Sequence, residues 1–190
     1  MNKREQIITT ALNLFYNKGI HAVGINEILA VSGIAKKTLY NHFLSKDDLI
    51  LACLAMRDKN FNNWLKQTCE KQNAFDVANG LFAGLTSWFN NAVPELGDFN
   101  GCFFINAAAE YPFPAHSIAI QCKAHKHAVL KIILNALLAT PQLRNNKVKA
   151  ENIAQTLFTL KEGLICQARV MHNQSLVMPS TALLKHIIQS

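Results

Sequence analysis

The chain has 190 residues, half of them apolar, which is material for one or two domains with a packed core and excludes a largely disordered chain. Its 19 Lys/Arg against 12 Asp/Glu give +7 with His neutral, a balance that suits polyanions such as nucleic acid or membrane surfaces. No apolar run is long enough to span a bilayer, the first residues carry no signal-peptide core, and Cys53, Cys69, Cys102, Cys122 and Cys166 form no C-x-x-C pair. A cytoplasmic protein with reduced thiols, no disulfide framework and no zinc module is therefore expected.

Apolar residues recur at helical spacing along the whole chain, and no alternating run bounded by turn signals appears, so an all-α fold of about nine helices is expected. A first helix starts near Lys3, buries Ile7, Ile8, Ala11, Leu12, Leu14 and Phe15, and stops at Gly19. A short helix from about Ile25 to Val31 meets the turn Ser32-Gly33-Ile34-Ala35, and a third covers roughly Lys36 to Phe43. Ser45 is a fitting N-cap for a long fourth helix reaching about Cys69, with Asp47 and Asp48 at the positive end of its dipole. That helix reads as a connector between two domains. Further helices follow Asn73 (to the break at Pro94 and Gly97), span about Gly101 to Tyr111 and Ala115 to Ala139, and end the chain at about Lys147 to Met171 and Ser180 to Ile188.

The chemistry concentrates between Gly19 and Leu49, where two short helices joined by a glycine turn form a helix-turn-helix candidate. A helix that enters the major groove needs an apolar inner face and an outer face of donors and cations. Leu39 and Phe43, four apart, supply the first. Lys36, Lys37, Thr38, Tyr40, Asn41 and His42 supply the second, although Tyr40 or His42 equally suits partial burial. A basic helix alone is usually just a solvated face; here turn, helix lengths and polarity coincide.

The stretches Ile28-Leu29-Ala30-Val31-Ser32-Gly33-Ile34, Thr38-Leu39-Tyr40-Asn41-His42-Phe43 and Ser45-Lys46-Asp47-Asp48-Leu49 resemble the TetR family of bacterial transcriptional regulators. The resemblance is close over about the first fifty residues and covers the remainder only as a helical body of the right size. It implies a helix-turn-helix DNA-binding domain at residues 1–48 and a helical regulatory, ligand-binding and dimerisation domain at 49–190. It also implies that Thr38, Tyr40 and His42 contact an operator, Tyr40 and His42 mainly on its backbone, and that Lys46 binds phosphate. Two positions depart from the family pattern. Gly24 stands where a capping Thr is frequent and Ala35 where Ser is frequent, losses worth about 0.5–2 kcal/mol for Ala and a few tenths for Gly, with Asn26 a substitute cap for the second helix. The implied activity is a one-component repressor that binds a palindromic double-stranded operator as a homodimer and is released by a small-molecule inducer that tilts the fourth helix.

Residues 1–48 hold six Lys/Arg and four Asp/Glu, so the positive excess is spread along the chain and the nucleic-acid reading rests on the motif. For the inducer, Cys102, Asn106 and Glu110 fall at i, i+4 and i+8 on one helical stripe and are able to orient a ligand, with Phe82, Trp88, Phe89, Phe103 and Phe104 around its apolar body. The competing reading makes these aromatics ordinary core and faces Asn106 and Glu110 to solvent or backbone. Cys102, just after Gly101 at a helix start, also fits a redox or electrophile sensor, against the commoner inert thiol. Cys122, His125, His116 and His127 lack metal-ligand spacing, so no metal is expected, and no cofactor or catalytic residue is indicated. The rivals are a helical ligand carrier or partner-binding protein without a DNA role and a small helical enzyme, for which no catalytic motif appears.

Overall fold

Asn2 begins the first helix by a reciprocal cap: the Glu5 amide donates to its Oδ1 at 2.8 Å, and its own amide donates to Glu5 Oε2 at 3.1 Å. The computed structural model describes residues 2–172 and 178–189, and among these it contains nine α-helices and no strand. They are α1 (Lys3–Lys18), α2 (Ile25–Ser32), α3 (Lys36–His42), α4 (Lys46–Cys69), α5 (Ala74–Phe89), α6 (Phe103–Glu110), α7 (Ser117–Leu138), α8 (Lys147–Met171) and α9 (Thr181–Gln189), with a 3-10 turn at Pro94–Leu96. The expected all-α architecture is thus the observed one. Ends follow local chemistry. Gly19 closes α1 at φ 92°, Gly33 closes α2 in the left-handed region at φ 66°, and Ser45 Oγ accepts the Asp48 amide at 3.1 Å to start α4. One expectation is corrected. Asn26 lies inside α2, whose N-cap is Gly24 with no side-chain hydrogen bond, so it does not replace the missing cap.

The chain divides into two compact units, Met1–Lys59 with Cys102–His125, and Asn60–Gly101 with Lys126–Ser190. These are drawn differently from a boundary at residue 48, because α6 packs with the N-terminal helices: the Phe103 ring meets Tyr16 edge-on at 6.1 Å. In the first unit Ile7, Ile8, Ala11, Phe15, Ile28 and Leu39 form a dry core. Tyr16 joins it, while Leu12 and Leu14, expected inside, are only half-buried.

In the second unit α5, α8 and α9 pack together, and α5 approaches the end of α4 closely through Gly80 and Gly84. A Cβ on Gly80 would stand 2.7 Å from the Thr68 carbonyl oxygen, and one on Gly84 would stand 2.6 Å from Thr68 Cγ2. Only glycine allows that spacing. Trp88 anchors the unit's aromatic cluster, with Phe99 at 5.0 Å, Phe61 at 5.6 Å and Trp64 at 6.1 Å between ring centroids. Lys161 is buried beside the Phe61 and Phe158 rings and pairs with Glu162, which also accepts from Lys126 at 2.6 Å. Burial by itself raises the Glu162 pKa, but the two ammonium groups and their hydrogen bonds outweigh it and hold the carboxyl below the usual range.

Candidate nucleic-acid interface

The turn between α2 and α3 is fixed from three sides. The Gly33 amide donates to Leu29 O at 3.0 Å, Ser32 Oγ accepts the Ile34 amide at 3.4 Å, and Gln6 on α1 donates to Ser32 O at 2.9 Å. α3 leaves this turn with one face sealed: Leu39 is fully buried and Phe43, at its C-cap, is 3% exposed. Opposite them Lys36, Lys37, Tyr40, Asn41 and His42 are exposed and Thr38 is half-buried. Tyr40 shows 44% of its surface. This face offers two ammonium groups, a phenol, an amide and an imidazole at the spacing of one helix surface, the donor types that meet phosphates and base edges. Nearby, the Arg4 guanidinium lies 5.3 Å over the Phe43 ring. Neither α2 nor α3 has a side-chain N-cap; in their first turns the Glu27 and Thr38 amides donate instead to the N-cap carbonyls, Gly24 O at 3.2 Å and Ala35 O at 2.9 Å.

Lys46, expected on phosphate, is turned toward the protein. Its Nζ donates to Ile20 O at 2.7 Å and lies 5.7 Å from the Phe15 centroid. Burial pushes its pKa down from the ordinary lysine value, partly opposed by the negative charges of Glu110 and Asp47. Glu110, the last residue of α6, reaches the same α1–α2 loop: its Oε1 accepts the Ile20 amide at 2.8 Å and its Oε2 the His21 amide at 2.6 Å. Around it, His21 Nδ1 stands 3.5 Å from Glu110 Oε2, the His21 and His116 rings flank Tyr111, and His116 Nε2 stands 3.4 Å from Asp47.

The residues expected around a ligand fall in both compact units. Cys102, Phe103, Asn106 and Glu110 belong to the first; Phe82, Trp88 and Phe89 belong to the second. Asn106 and Glu110 are half-buried, Cys102 is the buried N-cap of α6, and Phe82, Trp88 and Phe89 are packed into the core with no more than 3% exposed. In the second unit a crevice of about 340 Å³ opens between the ends of α4 and α7, lined by Lys66, Cys69, Lys71, Ile132, Asn135 and Ala136 among others; none of the expected ligand residues lines it.

Sequence reading missed a buried polar group in the first unit. Arg57, 5% exposed, lies 4.7 Å over the Tyr16 ring, and burial lowers its pKa against the opposing pull of Tyr16 and Cys102. Next to it in sequence, Asp58 Oδ1 is 2.6 Å from Nδ1 of the buried His125, whose ring stacks on Phe104 at 3.5 Å. Asp58 and His125 stand 67 positions apart, a separation that gives no spacing signal to join them. Cys122 is buried, His127 is exposed, and among the described residues no group of three His, Cys, Asp or Glu gathers as a metal site. No described helix is long and apolar enough to cross a membrane.

Comparison with known proteins places these features in context. Residues 7–53 match the family described as bacterial regulatory proteins, tetR family. The HTH-type transcriptional activator FasR of Mycolicibacterium smegmatis is 37% identical over 131 residues, 69% of this chain and 58% of the relative, so the match spans little more than half of FasR. The HTH-type transcriptional repressor ComR of Escherichia coli is 23% identical over 171 residues, 87% of this chain and 79% of that one. A crystal structure of a TetR-family transcriptional regulator from Streptomyces coelicolor shares the fold with a TM-score of 0.77 at 28% identity, over 98% of this chain and 92% of that one.

Proposed function

Because the chain belongs to the TetR family of bacterial regulatory proteins, we propose that it is a cytoplasmic transcriptional regulator that binds a palindromic duplex operator as a homodimer. The observation that carries this reading is the two-sided α3: Leu39 and Phe43 hold it to the body while Lys36, Lys37, Tyr40, Asn41 and His42 stay outside. Laid in the major groove, Asn41 suits an adenine edge and Thr38 a thymine methyl, while Lys36, Lys37, Tyr40 and His42 suit guanine edges and phosphates. The apolar side chains that α8 and α9 leave exposed, among them Val148, Val170 and Leu183, support pairing of these helices with a second copy. Two-fold symmetry would set the α3 pair about 34–36 Å apart, or a multiple of it, on successive major grooves.

A small molecule in the C-terminal helical body is proposed to release the operator, with a coupling of about 1–3 kcal/mol. ComR is named a repressor and FasR an activator; the reading taken for this chain is repression. The test is enrichment of duplexes from a random library by the full-length protein. An inverted repeat is expected, bound by a dimer in sedimentation equilibrium, with log Kd against log salt flattened by about 1.8 in Lys37→Ala because two phosphate contacts are lost per dimer. Failure to enrich any duplex, or a monomer at every concentration, refutes the reading.

A further inference from the structure

The Ile20 peptide is gripped on both of its polar groups by different helices. Its N–H is held by Glu110 at the end of α6 and its C=O by Lys46 at the start of α4. The neighbouring His21 N–H closes the second arm of the carboxylate. Bonds from a carboxylate to two successive amides, and from an ammonium to a carbonyl, are charge-assisted and shorter than neutral ones. Gly19, just before the gripped peptide, is constrained by its backbone: its φ of 92° is one that residues with side chains rarely adopt, while a Cβ there would be in ordinary contact with Glu110 Oε1 at 3.4 Å. Ile20 itself is 1% exposed, so a carbonyl abandoned by Lys46 would have little access to water.

We propose that Glu110 is a positioning residue for operator binding, clamping the α1–α2 loop and, with it, keeping the Lys46 ammonium on the Ile20 carbonyl instead of on DNA phosphate. The proposal rests on the DNA-binding reading above and departs from the family's expected use of Lys46. The charges are complementary in the order Glu110, loop, Lys46: the carboxylate's negative field favours the ammonium that sits on the far side of the same peptide. Removing the carboxylate frees the loop and removes the attraction that holds Lys46 in. Lys46 then gains a choice of partners, and duplex phosphate is the strongest anion within an interface of this kind. The clamp thus decides how many cations the protein presents, a property read directly by salt dependence.

The experiment measures Kd for a duplex enriched by the wild-type protein across a salt series, for wild type, Lys46→Met, Glu110→Gln and the double variant. Amide hydrogen exchange at Ile20 and His21 is followed in the same full-length proteins. Lys46→Met is expected to weaken binding by one factor at every salt concentration, leaving its line parallel to wild type. Glu110→Gln is expected to steepen the line by about 1.8 per dimer, a gain lost in the double variant, and to lose protection at both amides. If Lys46→Met flattens the line by about 1.8, the lysine is on phosphate and the proposal fails. It fails equally if a folded Glu110→Gln keeps the wild-type slope or the wild-type protection of Ile20 and His21. Should Glu110→Gln not fold, the slope of Lys46→Met decides by itself. A wild type that binds no duplex refutes the DNA-binding reading instead, and the amide exchange still tests the clamp.

Discussion

Adjacent residues on α3 have opposite environments, and this makes the orientation of the helix testable. Leu39 is fully buried, so Leu39→Ala removes packed side-chain carbons and leaves a cavity, a loss of about 2–5 kcal/mol. In a chain of this length each kcal/mol moves the melting temperature by about 2–4 °C, so a fall of about 4–20 °C is expected. Tyr40 is 44% exposed, and Tyr40→Ala is expected to cost under about 1 kcal/mol and to shift melting by no more than about 4 °C. On DNA the sizes reverse. Losing one hydrogen bond of about 1 kcal/mol from each protomer weakens a dimer's binding by about 30-fold. Circular dichroism melts and fluorescence anisotropy on an enriched duplex measure the two effects. A Leu39→Ala protein that melts with wild type, or a Tyr40→Ala protein that loses stability and keeps its affinity, would show that α3 presents the other face.

Other parts of the molecule have equally definite responses. Glu162 is held below its ordinary pKa by Lys161 and Lys126, so its contribution is present above an unfolded value of about 4.3 and is lost as pH falls through the lower folded value. Glu162→Gln should therefore melt below wild type at pH 7, with the gap closing under about pH 4. Gly80→Ala gains up to about 1 kcal/mol of helix propensity but drives a methyl against the Thr68 carbonyl, an overpacking cost of about 1–3 kcal/mol, so its melting temperature should fall rather than rise. Cys166 is exposed while Cys53, Cys69, Cys102 and Cys122 are buried, with burial pushing Cys69 up to about 12 and Cys53 up as well. A thiol reagent at pH 8 should titrate one cysteine per native chain and the rest only on unfolding; rapid native modification of Cys102→Ser by fewer equivalents than wild type would contradict that burial.

Much of the fold was legible because helix ends are local chemistry. Gly19, Gly33, Ser45 and Asn73 act within a few residues of where they stand: the first two end α1 and α2, and the last two begin α4 and α5. The recognition face was legible in part for the same reason: Leu39 and Phe43 lie one helical turn apart and mark the inner face, whereas Tyr40 and His42 suited either side until the packing left both exposed. Apolar identity by itself could not separate a ligand wall from a core. Phe82, Trp88 and Phe89 carry the spacing of either, and their near-complete burial, with Trp88 against Phe61, Trp64 and Phe99 and Phe89 against Phe99, comes from tertiary packing. Gly80 and Gly84 escaped notice because their importance lies in what approaches them, the Thr68 turn of α4.

The polar residues show the same division more sharply. A glutamate ending an apolar helix satisfies several roles at once in sequence terms: solvent, ligand or backbone partner. What decides among them is the company of Ile20 and His21, 90 and 89 residues earlier, whose amides need an acceptor where the α1–α2 loop turns under α6. Gly19, which ends α1 at φ 92°, leads directly into those two amides, so a local turn and a distant carboxylate meet on the same peptide. Lys46 follows from both, since an ammonium beside a carboxylate-held peptide loses less by staying on the carbonyl than a lysine with only water around it would. On the proposal above, a motif position keeps its residue type while its partner is set by a helix that the motif does not include, and the salt slope of Lys46→Met decides the point.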